Sequence, residues 1–418
     1  MSKNRLFTSL CLLVAIVQSL VAQQQEKIPP YNIKTVSFMQ GGENVIPIFN
    51  LRESFQFQFD DLYGDEANYF YTITHCDYDW KTSQLSKAEY IEGFDDQRIQ
   101  NYLNSFNTLQ LYSHYMLSFP NKFTRFRVSG NYILNILNND KEVVFSRKFI
   151  LYEDLVSVPM QVKRARNVNM VDYKHNLEFS IKSQNIQFQN PLQNIKIALL
   201  QNGIFNTAIK NVKPMYTIGN DLIYRYDAET QFWAGNEFLF FDNKDIRAAN
   251  NSVSRVTSNE TYNSMLYTNN ARASQPYTFF PDVNGNFVVR NIGAQEDHDI
   301  EADYAWVFFS LSAPAYYGKG DIYITGMFNN YAMTPEFKME YNKDTQLYEK
   351  ALILKQGFVN YQYTIADKNG TIDYKNAVDG NFYQTENVYD AIIYYRENGQ
   401  RYDRVIGKGS TSSVDIVN

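Results

Sequence analysis

The feature that most constrains this chain is an alternation of apolar and polar residues that recurs from end to end. Residues 54–60 read Ser-Phe-Gln-Phe-Gln-Phe-Asp, and residues 177–181 and 361–365 alternate in the same way. Because successive side chains of a strand point to opposite faces of its sheet, this period indicates strands with one buried face. Helical spacing is confined to residues 83–103, where two short helices are predicted. We therefore predict an all-β protein built from β-sandwiches of the Ig-like or early-set type.

Two connectors divide the chain into three expected units. Residues 153–159 are acidic and end in proline, and the second connector follows Ser312-Ala-Pro314. The middle unit contains residues 245–276, whose Asn, Ser, Thr and Ala content predicts a long irregular excursion across the surface. Each unit has an ordinary domain size. The three tandem β-sandwich domains are expected at residues 28–152, 153–313 and 316–418.

The first residues have the build of a secretory signal. A short basic start precedes an apolar run at residues 10–17. Crossing a bilayer takes about 20 apolar residues, so this run predicts a cleaved signal at residues 1–22 and not a membrane anchor. Cys11 lies inside the run and not just after it, which argues against a direct lipid anchor.

The charge and cysteine content exclude several classes of partner and reaction. The chain has 39 Lys and Arg against 45 Asp and Glu, whereas nucleic acid and anionic membrane surfaces attract clustered positive charge. We therefore expect no nucleic-acid partner. Beyond the predicted signal the chain has one cysteine, Cys76, so no intramolecular disulfide is expected. Its apolar, aromatic surroundings predict a buried thiol and not a nucleophile.

Sequence patterns that carry catalysis are missing from this chain. The four histidines have no metal-binding spacing, and neither a phosphate-binding glycine loop nor a Gly-x-Ser-x-Gly elbow occurs. Asp77 and Asp79 flank Tyr78, but we interpret them as the polar end of a strand. No catalytic residue, metal or cofactor is expected, and an enzymatic function ranks last among the hypotheses.

A dense mixture of aromatic and polar residues spans residues 73–121. One interpretation is a self-packed loop region whose aromatic side chains fill a small core of their own, and this one is preferred. The other is a surface that contacts a partner. The candidate interaction residues of this segment are Trp80, Tyr90, Phe94, His114 and Tyr115.

The predicted C-terminal unit begins with a strand, a Gly-Met-Phe-Asn turn and a tyrosine at residues 321–331, and Tyr-Gln-Tyr follows at 361–363. This pattern resembles the early-set sandwich of glycogen-binding and carbohydrate-binding modules. In the sugar binders exposed aromatic rings stack on pyranose faces, so Phe328 and Tyr331 are further candidate interaction residues. Tyr331 stands where such modules usually have Trp, and the same sandwich often serves only as a spacer or docking unit.

A series of short motifs appears in a characteristic order along the chain. They are His75-Cys-Asp-Tyr-Asp-Trp80, Glu89-Tyr90-Ile-Glu-Gly93-Phe94, Ser105-Phe-Asn-Thr108, His114-Tyr115, Ser129-Gly-Asn-Tyr132, Phe232-Trp-Ala-Gly235-Asn-Glu237-Phe238, Asp379-Gly380, Thr385-Glu386-Asn387-Val-Tyr389, Tyr394-Tyr395-Arg396 and Arg401-Tyr402-Asp403. Together they resemble the plug protein family of the type IX secretion system of Gram-negative bacteria, over nearly the whole mature chain. The resemblance implies a soluble periplasmic protein without catalytic residues. It would close the periplasmic mouth of an outer-membrane translocon barrel and reach the outer membrane through that partner.

Two hypotheses from different classes therefore stay open. A translocon plug predicts a large contact surface on the first two units. An envelope glycan-binding protein predicts exposed, coplanar aromatic rings around Phe328 and Tyr331.

Overall fold

A computed structural model describes residues 23–416, so the predicted signal at residues 1–22 lies outside the described residues. Strands supply nearly all of the regular structure, and the α-helices within residues 23–416 are single turns of four residues. The all-β prediction is confirmed. No helix in the described part of the chain is long and apolar enough to cross a membrane.

The helices are α1 (Lys87–Tyr90), α2 (Pro191–Asn194) and α3 (His298–Glu301). The strands up to residue 152 are β1 (Ile33–Gln40), β2 (Glu43–Asn44), β3 (Ile48–Asn50), β4 (Phe55–Asp61), β5 (Phe70–Cys76), β6 (Ile91–Gly93), β7 (Gln97–Arg98), β8 (Asn101–Asn104), β9 (Ser113–Phe119), β10 (Thr124–Phe126), β11 (Gly130–Leu137) and β12 (Val143–Tyr152). The next are β13 (Met160–Arg164), β14 (Lys174–Ile181), β15 (Ile195–Gln201), β16 (Ile209–Lys210), β17 (Tyr216–Ile218), β18 (Asp221–Tyr224), β19 (Gln231–Trp233), β20 (Leu239–Asp242), β21 (Val253–Ser258), β22 (Tyr262–Leu266), β23 (Asn269–Asn270) and β24 (Phe287–Val289). The last are β25 (Tyr304–Ser312), β26 (Asp321–Thr325), β27 (Glu340–Asn342), β28 (Leu347–Lys355), β29 (Gly357–Ala366), β30 (Val388–Tyr395) and β31 (Arg404–Ser412).

The first sandwich packs two five-stranded sheets against each other, in the orders β2-β1-β4-β9-β8 and β3-β12-β11-β5-β7. Its core is aromatic, with the ring centroid of Phe38 within 6.1 Å of those of Phe49, Phe55, Phe57 and Phe149. Burying each such side chain contributes about 1.5–3 kcal/mol to folding. The helical spacing of residues 83–103 yields only α1, because β7 and β8 pair with strands of this sandwich and β6 pairs with β10 in a small sheet of its own.

The second sandwich combines two separate parts of the chain. Strands β13, β14, β17, β18 and β19 form one sheet, and the other has the order β16-β15-β30-β31. Leu177, Ile197 and Ile393 are fully buried between these sheets. The last two strands of the chain therefore complete a sandwich that begins near residue 158.

The third sandwich is inserted between β19 and β30. One of its sheets has the order β20-β29-β24 with β26 beside β29, and the other has the order β21-β22-β25-β28-β27 with β23 beside β25. Its core includes Phe241, Val307 and Ile324, all fully buried.

This nesting corrects the prediction of three tandem domains. Strand β25 falls in the expected middle domain (153–313) but pairs with β28 of the third sandwich. Strands β30 and β31 fall in the expected C-terminal domain (316–418) but pair within the second. Alternation along a strand predicts which face is buried but carries no information about which distant strand lies beside it.

The predicted surface excursion at residues 245–276 also needs correction. It forms β21, β22 and β23 at one side of a sheet, and Val253 and Ser264 are fully buried. The region looked irregular in sequence because β21 is largely exposed and its residues are polar on both faces.

Candidate functional site: junctions and exposed surfaces

Most of the candidate interaction residues of the first sandwich are buried. The exposed fraction is 4% for Trp80, 6% for Tyr90 and 1% for both His114 and Tyr115, whereas Phe94 is 73% exposed. The four buried side chains are not free to contact a partner in this conformation. Tyr90 and Tyr115 belong to the core of the first sandwich, whereas Trp80 and His114 lie where it meets the other two. Phe94 stays a candidate for partner contact.

Trp80 lies at the junction between the first and second sandwiches. Its backbone has a φ of 62°, in a turn where the Trp80 N–H donates to the Asp77 carbonyl oxygen at 2.9 Å. The indole packs against Phe205 with 5.7 Å between ring centroids, and Lys148 Nζ lies 4.7 Å from the Trp80 centroid. The turn thus places the ring between two sandwiches and not on the outer surface.

The centre of this junction is apolar. The outer face of the β5, β11 and β12 sheet packs on the outer face of the β15, β30 and β31 sheet. The buried members are Ile48, Cys76, Tyr78, Ile133 and Ile150 from the first sandwich and Ala198, Leu200, Ile392, Tyr394 and Val405 from the second. Burial raises the pKa of the Cys76 thiol to about 12, in agreement with the predicted inert thiol.

The carboxylates of the Asp-Tyr-Asp sequence serve the same junction. Asp77 accepts a hydrogen bond from the Asp403 N–H at 3.0 Å and pairs with Arg396 at 2.9 Å. Arg396 also pairs with Asp403. Asp79 pairs with Lys81 near the surface. These carboxylates hold a turn and a neighbouring strand together and do not form an acid–base pair.

Gly130 shows why the Ser-Gly-Asn-Tyr motif contains glycine. Its φ is 155°, and an added Cβ would lie 2.2 Å from His75 Nε2. The His75 ring bonds Ser83 Oγ at 2.7 Å and the Ser129 carbonyl oxygen at 3.3 Å. Burial lowers the pKa of His75 to about 4, so the ring is neutral at pH 7 and acts as a structural hydrogen-bonding group.

His114 lies at a second junction, between the first and third sandwiches. The fully buried Asp60 accepts hydrogen bonds from His114 Nδ1 and the Tyr304 hydroxyl, both at 2.6 Å. Lys355 at the end of β28 forms an ion pair with the same carboxylate. Burial alone raises the pKa of Asp60, but Lys355 and His114 lower it, and the net shift is downward. The carboxylate is therefore ionised in the folded protein.

The loop between β8 and β9 extends this junction. The Tyr112 hydroxyl donates to the Ala302 carbonyl oxygen at 2.7 Å. The Asp303 carboxylate accepts from the N–H groups of Leu109 at 2.6 Å and Gln110 at 3.0 Å. These bonds fix the loop to the beginning of β25.

Sequence reasoning did not single out Asp60, Tyr304 or Lys355. Each lies at or near the end of a strand, where a polar group is usually solvated. Only the pairing of distant sandwiches brings the three side chains together. No local spacing in the sequence carries this information.

An exposed apolar surface lies beside the charged junction. An added Cβ on Gly64 would lie 3.4 Å from the Leu111 Cβ, so the turn after Tyr63 adjoins the loop before β9. Five large apolar side chains on this turn, on this loop and on the adjoining strand β8 are 43–71% exposed, and we call them the apolar loop: Tyr63, Leu103, Phe106, Leu109 and Leu111. Single exposed apolar residues are ordinary, but a group of them marks a contact surface.

Phe328 and Tyr331 do not form a sugar-stacking platform. Phe328 is half-buried and packs edge-to-face on Phe337, with 6.2 Å between ring centroids. Tyr331 is half-buried, and its hydroxyl is shielded and has no hydrogen-bond partner in residues 23–416. The exposed, coplanar rings that glycan binding predicts are not found at these positions. Both side chains instead line an internal cavity where the sandwiches meet.

The fold and its two buried junctions define an all-β protein whose three sandwiches form one packed body. Residues 33–153, the first sandwich, match the family model described as the type 9 secretion system plug protein 1st domain. The chain belongs to the type 9 secretion system plug protein family. Proteins of this family are components of a secretion system.

A solved structure shares the fold over nearly the whole length of this chain. It is a crystal structure of a hypothetical protein from Parabacteroides merdae ATCC 43184, with 32% sequence identity and a TM-score of 0.88. The alignment covers 94% of this chain and 100% of that one, so the nested arrangement extends beyond the plug domain in both. No curated protein matches the chain in sequence.

Proposed function

We propose that this protein is a non-enzymatic periplasmic plug that closes the periplasmic mouth of the type IX secretion outer-membrane translocon. The observation that carries the proposal is the match of residues 33–153 to the plug domain. The barrel is then its partner, and the protein is associated with the outer membrane through that partner.

The packing of the molecule supports a role in closing a pore. A plug has to resist deformation, and domains joined only by linkers move relative to one another by default. Here the first sandwich contacts the second through an apolar cluster and the third through a buried ion pair. Both contacts are removed from solvent, so the three sandwiches present one large body to a pore.

The apolar loop and Phe94 are our proposed contacts to the barrel. They lie on the plug domain, and each side chain is at least 43% exposed. A single aromatic or aliphatic side chain exposed to water costs the protein little free energy. The same side chain contributes strongly to binding once it is buried at an interface.

The test is affinity purification of the tagged, full-length protein from detergent-solubilised envelopes, with the co-purifying proteins identified. We expect a very large outer-membrane barrel in near-equal amount. Failure to recover any such barrel would overturn the proposal, and retention on a polysaccharide column instead would favour the glycan-binding alternative.

Matched variants locate the contact surface. Phe106→Ser with Leu111→Ser should lower recovery of the barrel at least fivefold, while Val168→Ser, an exposed apolar residue of the second sandwich, should not. Equal recovery of the barrel with both variants would be compatible with the plug function, but it would exclude the apolar loop as the contact surface. Phe94→Ser then tests the remaining candidate.

A further inference from the structure

A cavity of about 560 Å³ lies where residues 23–36 meet all three sandwiches. This volume falls within the range of small-molecule binding sites. About half of its lining residues are aromatic or aliphatic. The wall includes Phe205, Phe287, Phe328, Phe337, Leu352 and Val359.

Two of the lysines that line the cavity are already neutralised. Lys34 pairs with Glu336 at 2.6 Å, and Lys355 pairs with Asp60 at the charged junction. Glu336, one of the two acidic residues in the cavity wall, is therefore already paired. The other, Glu26, is bonded to the Lys148 backbone N–H at 2.6 Å and to the Asn330 side chain at 2.8 Å.

Three further cations line the cavity without an ion-pair partner in residues 23–416: Arg147, Lys148 and Lys210. Arg147 is only 9% exposed, yet of its five N–H donors one is used, to the Ser146 carbonyl oxygen at 3.1 Å. Lys148 is 7% exposed, and its ammonium faces the Trp80 ring. Burial lowers the pKa of all three groups, with Glu26 partly opposing this at Arg147 and Lys148 and Asp79 partly opposing it at Lys210.

Buried cations without anionic partners are unfavourable, and proteins retain them where something else supplies the counter-charge. We infer that this cavity binds a small organic anion with an apolar body. Its anionic head bonds the free guanidinium donors of Arg147, flanked by Lys148 and Lys210. Its body lies against the aromatic wall. The inference does not depend on the proposed plug function.

The test uses the purified full-length chain and the fluorescent probe 8-anilinonaphthalene-1-sulfonate, an anion with an aromatic body. We expect saturable binding at one site per chain. Arg147→Met should weaken it at least tenfold, while Arg125→Met, an exposed arginine of β10, should leave it unchanged. Arg147→Met should also unfold at the same or a higher temperature than the wild type, because it removes a buried charge without creating a void.

The melting temperature distinguishes a residue that binds the ligand from one that only stabilises the fold. A lower melting temperature with unchanged probe affinity would overturn the inference, as would equal affinity in the Arg147→Met and Arg125→Met proteins. If Arg147→Met does not fold, Lys210→Met takes its place, with weaker binding expected and equal affinity again contradicting the site.

Competition distinguishes the parts of the ligand. Decanoate should displace the probe at concentrations where inorganic phosphate does not, and the uncharged N-phenyl-1-naphthylamine should bind at least tenfold more weakly than the probe. Equal displacement by phosphate would overturn the requirement for an apolar body. Tight binding of the uncharged probe would overturn the requirement for an anion.

Discussion

The two junctions of the first sandwich differ in the chemistry buried at their centres. Toward the second sandwich, Ile133 and Ile150 pack on Leu200 in a buried apolar cluster, and the ion pairs Asp77–Arg396 and Glu153–Arg404 lie at its border. Toward the third, a buried ion pair joins Asp60 to Lys355. The same domain is thus held by a hydrophobic contact on one side and by paired charges on the other.

The difference separates two requirements of a packed body. Apolar burial contributes about 25 cal/mol per Å² and is indifferent to small changes of orientation. A buried ion pair contributes little net free energy, but it tolerates only the geometry that brings both charges together. We infer that the apolar junction supplies most of the adhesion and that the charged junction fixes the orientation of the third sandwich.

The largest effect is expected at the charged junction, from Lys355→Met. The substitution leaves the Asp60 carboxylate buried without its lysine, and breaking a buried pair in this way costs about 3–5 kcal/mol. Urea denaturation measures the loss. The exposed Lys343→Met is the control and should change the free energy of unfolding by less than about 0.5 kcal/mol.

A double variant tests the reason for that loss. Asp60→Asn combined with Lys355→Met removes both charges, so it should recover a large part of the stability lost in Lys355→Met alone. If the double variant is as unstable as the sum of the single ones, the two charges do not compensate each other and the comparison of the junctions fails.

At the apolar junction, Trp80→Ala should lower the free energy of unfolding by about 3 kcal/mol. This is the lower end of the range for a large buried ring, because Trp80 borders the central cavity and water can enter the vacated space. Phe94→Ala, in the same aromatic segment but exposed, is the matched control. Equal losses in the two variants would mean that burial does not decide the role of this segment.

The sequence predicted the strands well because alternation follows directly from burial on one face, as at Phe55, Phe57 and Phe59. It also selected the aromatic segment at residues 73–121, but Trp80 and His114 proved to be inside the molecule. A junction between sandwiches and a surface for a partner have the same mixture of aromatic and polar residues, so composition does not distinguish them. The nesting of the third sandwich was missed because the pairing of β15 with β30 leaves no local pattern.

Another buried carboxyl sharpens the comparison, because it has no paired cation in the described residues. Glu237 lies where the chain passes from the second to the third sandwich and accepts hydrogen bonds from the Tyr277 hydroxyl and the Glu386 N–H. Burial raises its pKa to about 7, opposite to the direction found for Asp60. The folded state therefore binds this proton more tightly than the unfolded state, and stability falls as the pH rises from 4.5 to about 7.

Glu237→Gln should remove that dependence. Because the amide does not titrate, we expect the variant to gain roughly 1–2 kcal/mol relative to wild type between pH 4.5 and pH 7. Melting at a series of pH values, beside the exposed Glu260→Gln, measures the difference. A gain that is constant across this range would contradict a titrating Glu237.

The smallest effect is expected from Tyr394→Phe, which removes a single polar group from the apolar junction. The Tyr394 hydroxyl donates to Asn131 Oδ1 at 2.8 Å, and its loss leaves that oxygen buried without a donor. Such a change costs about 1 kcal/mol, measurable by urea denaturation beside the exposed Tyr63→Phe. Because the surrounding contacts are apolar, a loss as large as that of Trp80→Ala would show that this junction also depends on polar bonding, and the contrast between the two junctions would no longer hold.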